Sequence, residues 1–398
     1  MAPIVDIHTH MYPPEYIDLL STRTDLPLVR TFPSSPDPRL ILLESELPSL
    51  QRALADPSAP LPGRPLTKHF TSLPAKLSFM ARHGITTSVV SLANPWLDFL
   101  SPEDAGPVAE RINDSFEAMC AANPGKLFFF GALPLINTPG TESAQDQTQQ
   151  TILTAITHLT TLPHCRGIIL GTSGLGAGLD DPRMLPIFTS LAAAQLPVFL
   201  HPHYGLPTSV FGPRADDYGH VLPLALGFPM ETTVAVARMF LAGVFDAVDG
   251  LRMILAHSGG TLPFLAGRIE SCVVHDAALA AAANKRDGKG DGEGERKRKR
   301  RTLWEVLRQQ IYLDAVVYSD VGLKAAADAT GAGAERLMFG TDHPFFPPVG
   351  EKAEGADDEE WESVQWNVDA VIRAFGEGSK EAELVLGVNA ATVLRLDV

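Results

Sequence analysis

Eight short β-branched or aromatic runs recur along the chain, most of them running into Gly, His, Asn or Asp. They are PIVDIH (3–8), ITTSVVSL (85–92), KLFFFGAL (126–133), RGIILG (166–171), LPVFLH (196–201), LRMILAH (251–257), QIYLDA (310–315) and ERLMFGT (335–341). Ala- and Leu-rich stretches with helical periodicity lie between them, at 104–122, 143–162, 182–195, 232–248, 262–283 and 363–375. Most of the runs are nearly continuously apolar, as a strand must be when both faces of its sheet are covered. Parallel strands with helices returning outside them meet that condition. Eight such units predict an α/β fold, a closed (β/α)8 TIM barrel. The alternative is an open doubly wound sheet, but no GxGxxG follows the first strand and no Walker A sequence occurs.

The 398 residues read as one barrel domain spanning 1–398, with two stretches beyond a minimal barrel. Residues 11–84 form a long, Pro-rich insertion after the first strand, of a length expected for a lid or small subdomain. Residues 284–301 (NKRDGKGDGEGERKRKRR) are Gly-rich and charged, and cannot bury enough apolar surface to offset ordering entropy. They are expected to be a disordered surface loop rather than a polyanion-binding or nuclear-targeting element. The acidic, Trp-containing segment 351–363 is read as a surface connection in the same way.

Composition removes several function classes. Lys plus Arg number 32 against 47 Asp plus Glu, a net charge of −15 that disfavours a surface for nucleic acid. Cys120, Cys165 and Cys272 are scattered, which excludes a disulfide framework or a thiolate zinc site and points to the reducing cytoplasm. The opening MAPIVDIHTHMYPP has neither the basic start nor the apolar core of a leader. No apolar run of membrane-spanning length is read, so no membrane partner is expected.

Metal-capable residues collect at the C-terminal ends of the expected strands, the rim on which barrel enzymes place their chemistry. The first strand ends in His8-Thr9-His10, and residues two apart on an extended chain face the same side. The fifth run ends in His201, the sixth in His257, and Asp342 follows the eighth. A lone His at a strand end is usually structural; five candidates on one rim point to a metal site. His203, two residues beyond His201, is an alternative ligand, while His69, His83, His158, His164, His220 and His275 are read as structural or surface. The fourth run ends RGIILGTSG, with no Lys, Asp, Glu or Cys to bridge two ions, so one ion is expected. Such a nitrogen and oxygen donor set suits Zn2+, and Mn2+ is also compatible.

This pattern resembles the amidohydrolase superfamily, and VDIHTH, FLHPHYG, LAHSGGTLPF and FGTDHPFF resemble its decarboxylase branch. That branch includes aminocarboxymuconate-semialdehyde, γ-resorcylate and isoorotate decarboxylases, and the wording is most similar to the fungal isoorotate (uracil-5-carboxylate) decarboxylases. The likeness runs through LPGRPL, SLANPW, FFFGALPL, CRGIILGTSGLG and YGHVLPLALGFPMETT, nearly the whole chain. The resemblance implies one zinc held by His8, His10, His201 and Asp342. It also implies a homodimer or homotetramer, and loss of CO2 from uracil-5-carboxylate in thymine salvage.

Direct loss of CO2 from a vinylic carbon leaves a localised carbanion, so protonation is expected to precede C–C cleavage. On that reading Asp342 donates or shuttles the proton and His257 orients or charge-balances it. Arg64, in the rigid setting Pro62-Gly63-Arg64-Pro65, can meet a carboxylate or carbonyl. Asn94 can read the donor and acceptor of a uracil edge, and Phe345 can stack on a flat ring. Taken alone, each residue type is more often a surface Arg, a turn Asn or a core Phe; the resemblance implies that all three line the substrate pocket. Glu231 is either a partner of a ligand His or an N-terminal helix residue favoured by the dipole. The glycines of 171–176 and 258–260 are read as tight turns, and no GxSxG nucleophile elbow is present. The competing functions are decarboxylation of a hydroxybenzoate-type acid, metal-dependent hydrolysis of a lactone or amide, and a metal-stabilised scaffold without activity.

Overall fold

The structure, a computed structural model, describes residues 3–136, 142–279, 300–348 and 360–397. Its strands are, in chain order, β1 (Ile4–Met11), β2 (Leu28–Arg30), β3 (Arg39–Ile41), β4 (Arg64–Pro65), β5 (Ile85–Leu92), β6 (Leu127–Ala132), β7 (Cys165–Gly171), β8 (Val198–His201), β9 (Met253–Leu255), β10 (Ile311–Asp314) and β11 (Leu337–Met338). β1 and β5 to β11 make one parallel sheet in sequential order. Backbone bonds close it into a barrel: Ile7 N–H donates to Phe339 O (3.1 Å), Asp342 N–H to His8 O (2.8 Å) and His10 N–H to His343 O (2.8 Å). The (β/α)8 expectation holds strand for strand. Fully buried Val5, Ile7, Phe129, Phe130, Phe199 and Leu313 illustrate why the runs are apolar without alternation.

The stretch 11–84 divides differently from the sequence reading. β1 runs on to Met11, and the helix Leu73–Arg82 returns the chain from β1 to β5, so it belongs to the first βα unit. Between them β2, β3 and β4 pair antiparallel beside the helices Pro14–Thr22 and Leu47–Ala55. Leu28, Phe32, Ile41, Leu50 and Ala53 give this accessory sheet its own small core. Strands of two or three residues among prolines leave no periodic trace.

Of the basic segment, 284–299 lies outside the described residues, whereas Arg301 donates to Phe245 O (2.6 Å) and Arg300 to Phe240 O (2.9 Å). Residues 351–359 also lie outside them, but Trp361 is no surface residue. Its ring is buried against His343 (4.5 Å) and Phe79 (5.5 Å). The sequence reading missed one run: Pro223–Ala242, 20 residues with a mean hydropathy of 1.3 over its most apolar 18-residue window, is long and apolar enough to span a bilayer by length and composition alone. Here it follows β8, and Val236, Met239 and Phe240 pack into the barrel core.

The barrel seam carries buried charge. Asp6 accepts from Thr341 N–H (3.1 Å) and Oγ1 (2.8 Å), while Lys76 Nζ lies 2.5 Å from Thr9 Oγ1 and 3.7 Å from Asp6 Oδ2. Burial lowers the Lys76 ammonium to about 8 against the opposing pull of Asp6. Lys76→Met should destabilise the protein by about 3–5 kcal/mol, because Asp6 is left buried and uncompensated. Urea unfolding followed by tryptophan fluorescence tests this, and an unchanged midpoint would show the pair to be dispensable.

Candidate metal centre

His8 and His10 leave β1 on one face, with ring centroids 5.1 Å apart. The register against β5 slips between Asp6 and Thr9, a local irregularity of the kind found where strands aim functional side chains. His201 ends β8, and its ring lies 5.1 Å from that of His8 and 5.0 Å from that of His10. Asp342 follows β11 in the left-handed region (φ 56°). One donor atom from each of these four buried residues falls within 4.8 Å of the others. Gly340 is needed for this approach, since a Cβ there would stand 2.6 Å from His8 Cβ.

All three rings are fixed at Nδ1. His8 Nδ1 meets Asp314 Oδ2 at 2.6 Å and His201 Nδ1 meets Pro202 O at 2.7 Å. His10 Nδ1 lies 3.0 Å from Ser91 Oγ, whose own hydrogen goes to Thr9 O, so the ring donates and the hydroxyl accepts. Each Nε2 is left buried without a hydrogen-bond partner, the donor geometry that a cation satisfies. Burial lowers His10 to about 4 and His201 well below its ordinary range, keeping both neutral. Burial also works against a charged His8, but Asp342 and Asp314 outweigh it and raise that ring to about 10. Burial would raise Asp342, yet His8 above all, with His10 and His257 beside it, holds it well below the usual carboxylate range. The carboxylates thus demand a positive charge, which a divalent cation at this cluster would supply in place of the His8 proton.

His257 stands beside this group, its Nε2 3.6 Å from Asp342 Oδ2 and its side chain 16% exposed. The sequence reading passed over Asp314, the carboxylate behind His8; its signal was a lone Asp ending the apolar run QIYLDA. It also passed over His343, whose ring stacks on Phe79 at 3.8 Å, and Tyr12. His203 is apart from the cluster, with Nδ1 on Ser173 Oγ (3.1 Å) and Nε2 3.5 Å from Asp98. Glu231 holds the loop after β8 rather than a ligand ring, accepting from Thr172 Oγ1 and from His203 N–H (3.1 Å) and Gly205 N–H (2.8 Å). At the end of β7, a Cβ on Gly171 would lie 2.8 Å from the Trp96 ring and 3.0 Å from His203 Nδ1. Those rings fill the place a bridging acid would need.

Arg64, Asn94 and Phe345 come together on one wall. Phe345 packs edge-on to His10 (5.4 Å), and the Arg64 guanidinium sits 4.6 Å over the Phe345 ring and 5.0 Å over Phe70. The same guanidinium donates to Tyr12 Oη (2.6 Å) and to the backbone O of Asn94 (3.3 Å), while its Nε is buried without a partner. Asn94 spends one side-chain N–H on His203 O (2.9 Å), so its paired reading of a ligand edge is reduced to Oδ1 and one remaining N–H. The accessory strand β4 is what delivers Arg64 to the barrel mouth.

A barrel with an HxH pair on β1, a His ending β8 and an Asp after β11 around one point defines a class. The chain belongs to the amidohydrolase family, which it matches over residues 5–396. It is 60% identical to Metarhizium anisopliae IDCase, whose apo crystal structure aligns with a TM-score of 0.87 over 100% of this chain and 98% of that one. It is 30% identical over 296 residues to 2-amino-3-carboxymuconate-6-semialdehyde decarboxylase of Dictyostelium discoideum, 74% of this chain and 68% of that protein. A dihydroxybenzoic acid decarboxylase from Polaromonas sp. JS666, crystallised with manganese and 2-nitroresorcinol, shares the fold at a TM-score of 0.65 and 20% identity over 100% of this chain and 98% of that one.

Proposed function

We propose that this protein is a metal-dependent, non-oxidative decarboxylase that converts isoorotate (uracil-5-carboxylate) to uracil and CO2. The observation that carries the reading is the 60% identity, over the full chain, with isoorotate decarboxylase (IDCase). The four-residue cluster and the Arg64–Phe345 wall support it with a cation site beside a surface for a flat anionic ring. Zinc is the ion of this reading, one per subunit, held by His8, His10, His201 and Asp342. A homodimer or homotetramer of single-domain subunits in the cytoplasm, serving pyrimidine salvage, completes it.

Held by His8, His10, His201 and Asp342, the cation would supply Lewis-acid polarisation and a positive anchor for the anionic substrate. Arg64 pairs with a substrate oxygen and Phe345 holds the ring face, which brings C5 over Asp342. Asp342 rests ionised, so it acts as a shuttle: it takes a proton and delivers it to C5, making that carbon tetrahedral. His257, through Nε2, orients Asp342 and balances its charge. The C–C electron pair then returns to the ring as CO2 leaves, and the sum is isoorotate anion plus one proton giving uracil and CO2.

Chromatographic detection of uracil from isoorotate tests the reading, run beside 2,3- and 2,6-dihydroxybenzoate with metal-replete and chelator-treated protein. Uracil release should vanish on chelation and return with zinc. Zinc-replete protein that decarboxylates none of the three would overturn the proposal in favour of hydrolysis, to be sought with esters and amides.

A further inference from the structure

We propose that Asp314 is a positioning residue that sets, with one carboxylate, both the metal-facing ring of His8 and the turn presenting His257. The inference rests on the decarboxylase reading above. Asp314 is fully buried at the end of β10. Its Oδ2 takes His8 Nδ1 (2.6 Å) and His257 N–H (3.0 Å), and its Oδ1 takes Ser258 N–H (2.8 Å) and Val316 N–H (3.0 Å). Its backbone O accepts from Ser258 Oγ at 2.7 Å. Four donors thus converge on one side chain, and two belong to consecutive residues of a single turn.

That turn needs holding. His257 (φ 54°) and Ser258 (φ 52°) are both left-handed, a conformation that residues with a Cβ avoid, and Gly259 and Gly260 continue it. Successive N–H groups in such a turn form a concavity for an anion, and here the anion is the Asp314 carboxylate. The same carboxylate holds His8 with Nδ1 protonated and Nε2 free for a cation. Asp314 therefore fixes the spacing between a cation ligand and the imidazole 3.6 Å from Asp342. An amide in its place can serve only one oxygen's donors, because its nitrogen faces N–H groups on the other side.

The test compares wild type, Asp314→Asn, His257→Asn and the double variant, each measured for zinc affinity of the apo-protein by chelator competition and for kcat and KM at saturating zinc. Asp314→Asn should weaken zinc by about 10- to 100-fold. It should also lower kcat roughly 10- to 100-fold, with KM changed far less. In the His257→Asn background the zinc penalty should persist while most of the kcat penalty disappears, since the two residues act through one imidazole. Additive kcat losses would overturn the link to His257, and unchanged zinc affinity would overturn the link to His8. Should Asp314→Asn fail to fold, Ser258→Ala loosens the turn while leaving the His8 contact. It should lower kcat several-fold at unchanged zinc affinity, and an unchanged kcat would count against the proposal. Wild-type protein that binds zinc but leaves isoorotate untouched would sink the decarboxylase reading instead, and the zinc-affinity comparison would still decide Asp314's role on His8.

Discussion

Asp342→Asn should cost about a thousandfold or more in kcat at saturating zinc while leaving the fold in place, because both roles proposed for it, proton shuttle and anionic metal ligand, need the carboxylate. Asn is the right probe, as its side chain is isosteric and it tolerates the left-handed backbone (φ 56°) that this position requires. The bond from Asp342 N–H to His8 O (2.8 Å) is a backbone contact and survives the change. The carboxylate's contacts do not: His8 Nε2 at 3.2 Å, His10 Nε2 at 3.7 Å and His257 Nε2 at 3.6 Å all lose a negative partner. Zinc content must therefore be measured beside turnover. Loss of kcat with full zinc occupancy identifies the proton role, whereas loss that follows zinc occupancy identifies the ligand role. Full turnover with full occupancy would remove Asp342 from the chemistry.

His8, His10, His201, His257 and Asp342 could be picked from the sequence as rim candidates because parallel strands put their C-terminal ends on one rim, so position along the chain translates into position in space; leaving His257 out of the ligand set came from the family resemblance. Nothing comparable marks Asp314. A carboxylate ending an apolar strand looks like any turn or capping Asp, and only closure of the barrel brings β10 behind the His8 that β1 carries, 306 residues away. The accessory sheet was hidden for a different reason: β2 to β4 are too short to show a period, and β4 joins β3 only across a long excursion of the chain, with Leu40 opposite Arg64 and Arg39 opposite Pro65. Trp361 was misread through its neighbours, since the acidic stretch before it suggests solvent while its ring lies on His343 and Phe79. For Asn94 the sequence shows an amide just after β5, but not that the loop after β8 claims one of its donors, a contact across 109 residues.

The second large effect concerns Arg64, where two roles lead to opposite results. As a substrate group its guanidinium makes a charge-assisted bond to an anionic ring, an interaction worth about 1.5–3 kcal/mol. As a strut it merely ties the accessory sheet to the barrel through Tyr12, Asn94 and the faces of Phe70 and Phe345. Arg64→Met keeps an apolar stem over both rings and removes the charge. On the substrate role it should lower kcat/KM for isoorotate about 10- to 100-fold, mostly through KM, at unchanged zinc content. Arg64→Lys should recover only part of this, because an ammonium cannot both stack and present a planar fork. The partnerless Nε and the 5.4 Å approach of Phe345 to His10 favour the substrate role, placing an unused donor on the wall that adjoins the cation site. Steady-state kinetics with thermal unfolding of the same variants separates the two. A lowered unfolding midpoint with wild-type kcat/KM would make Arg64 a strut and leave the substrate anion to the cation site alone.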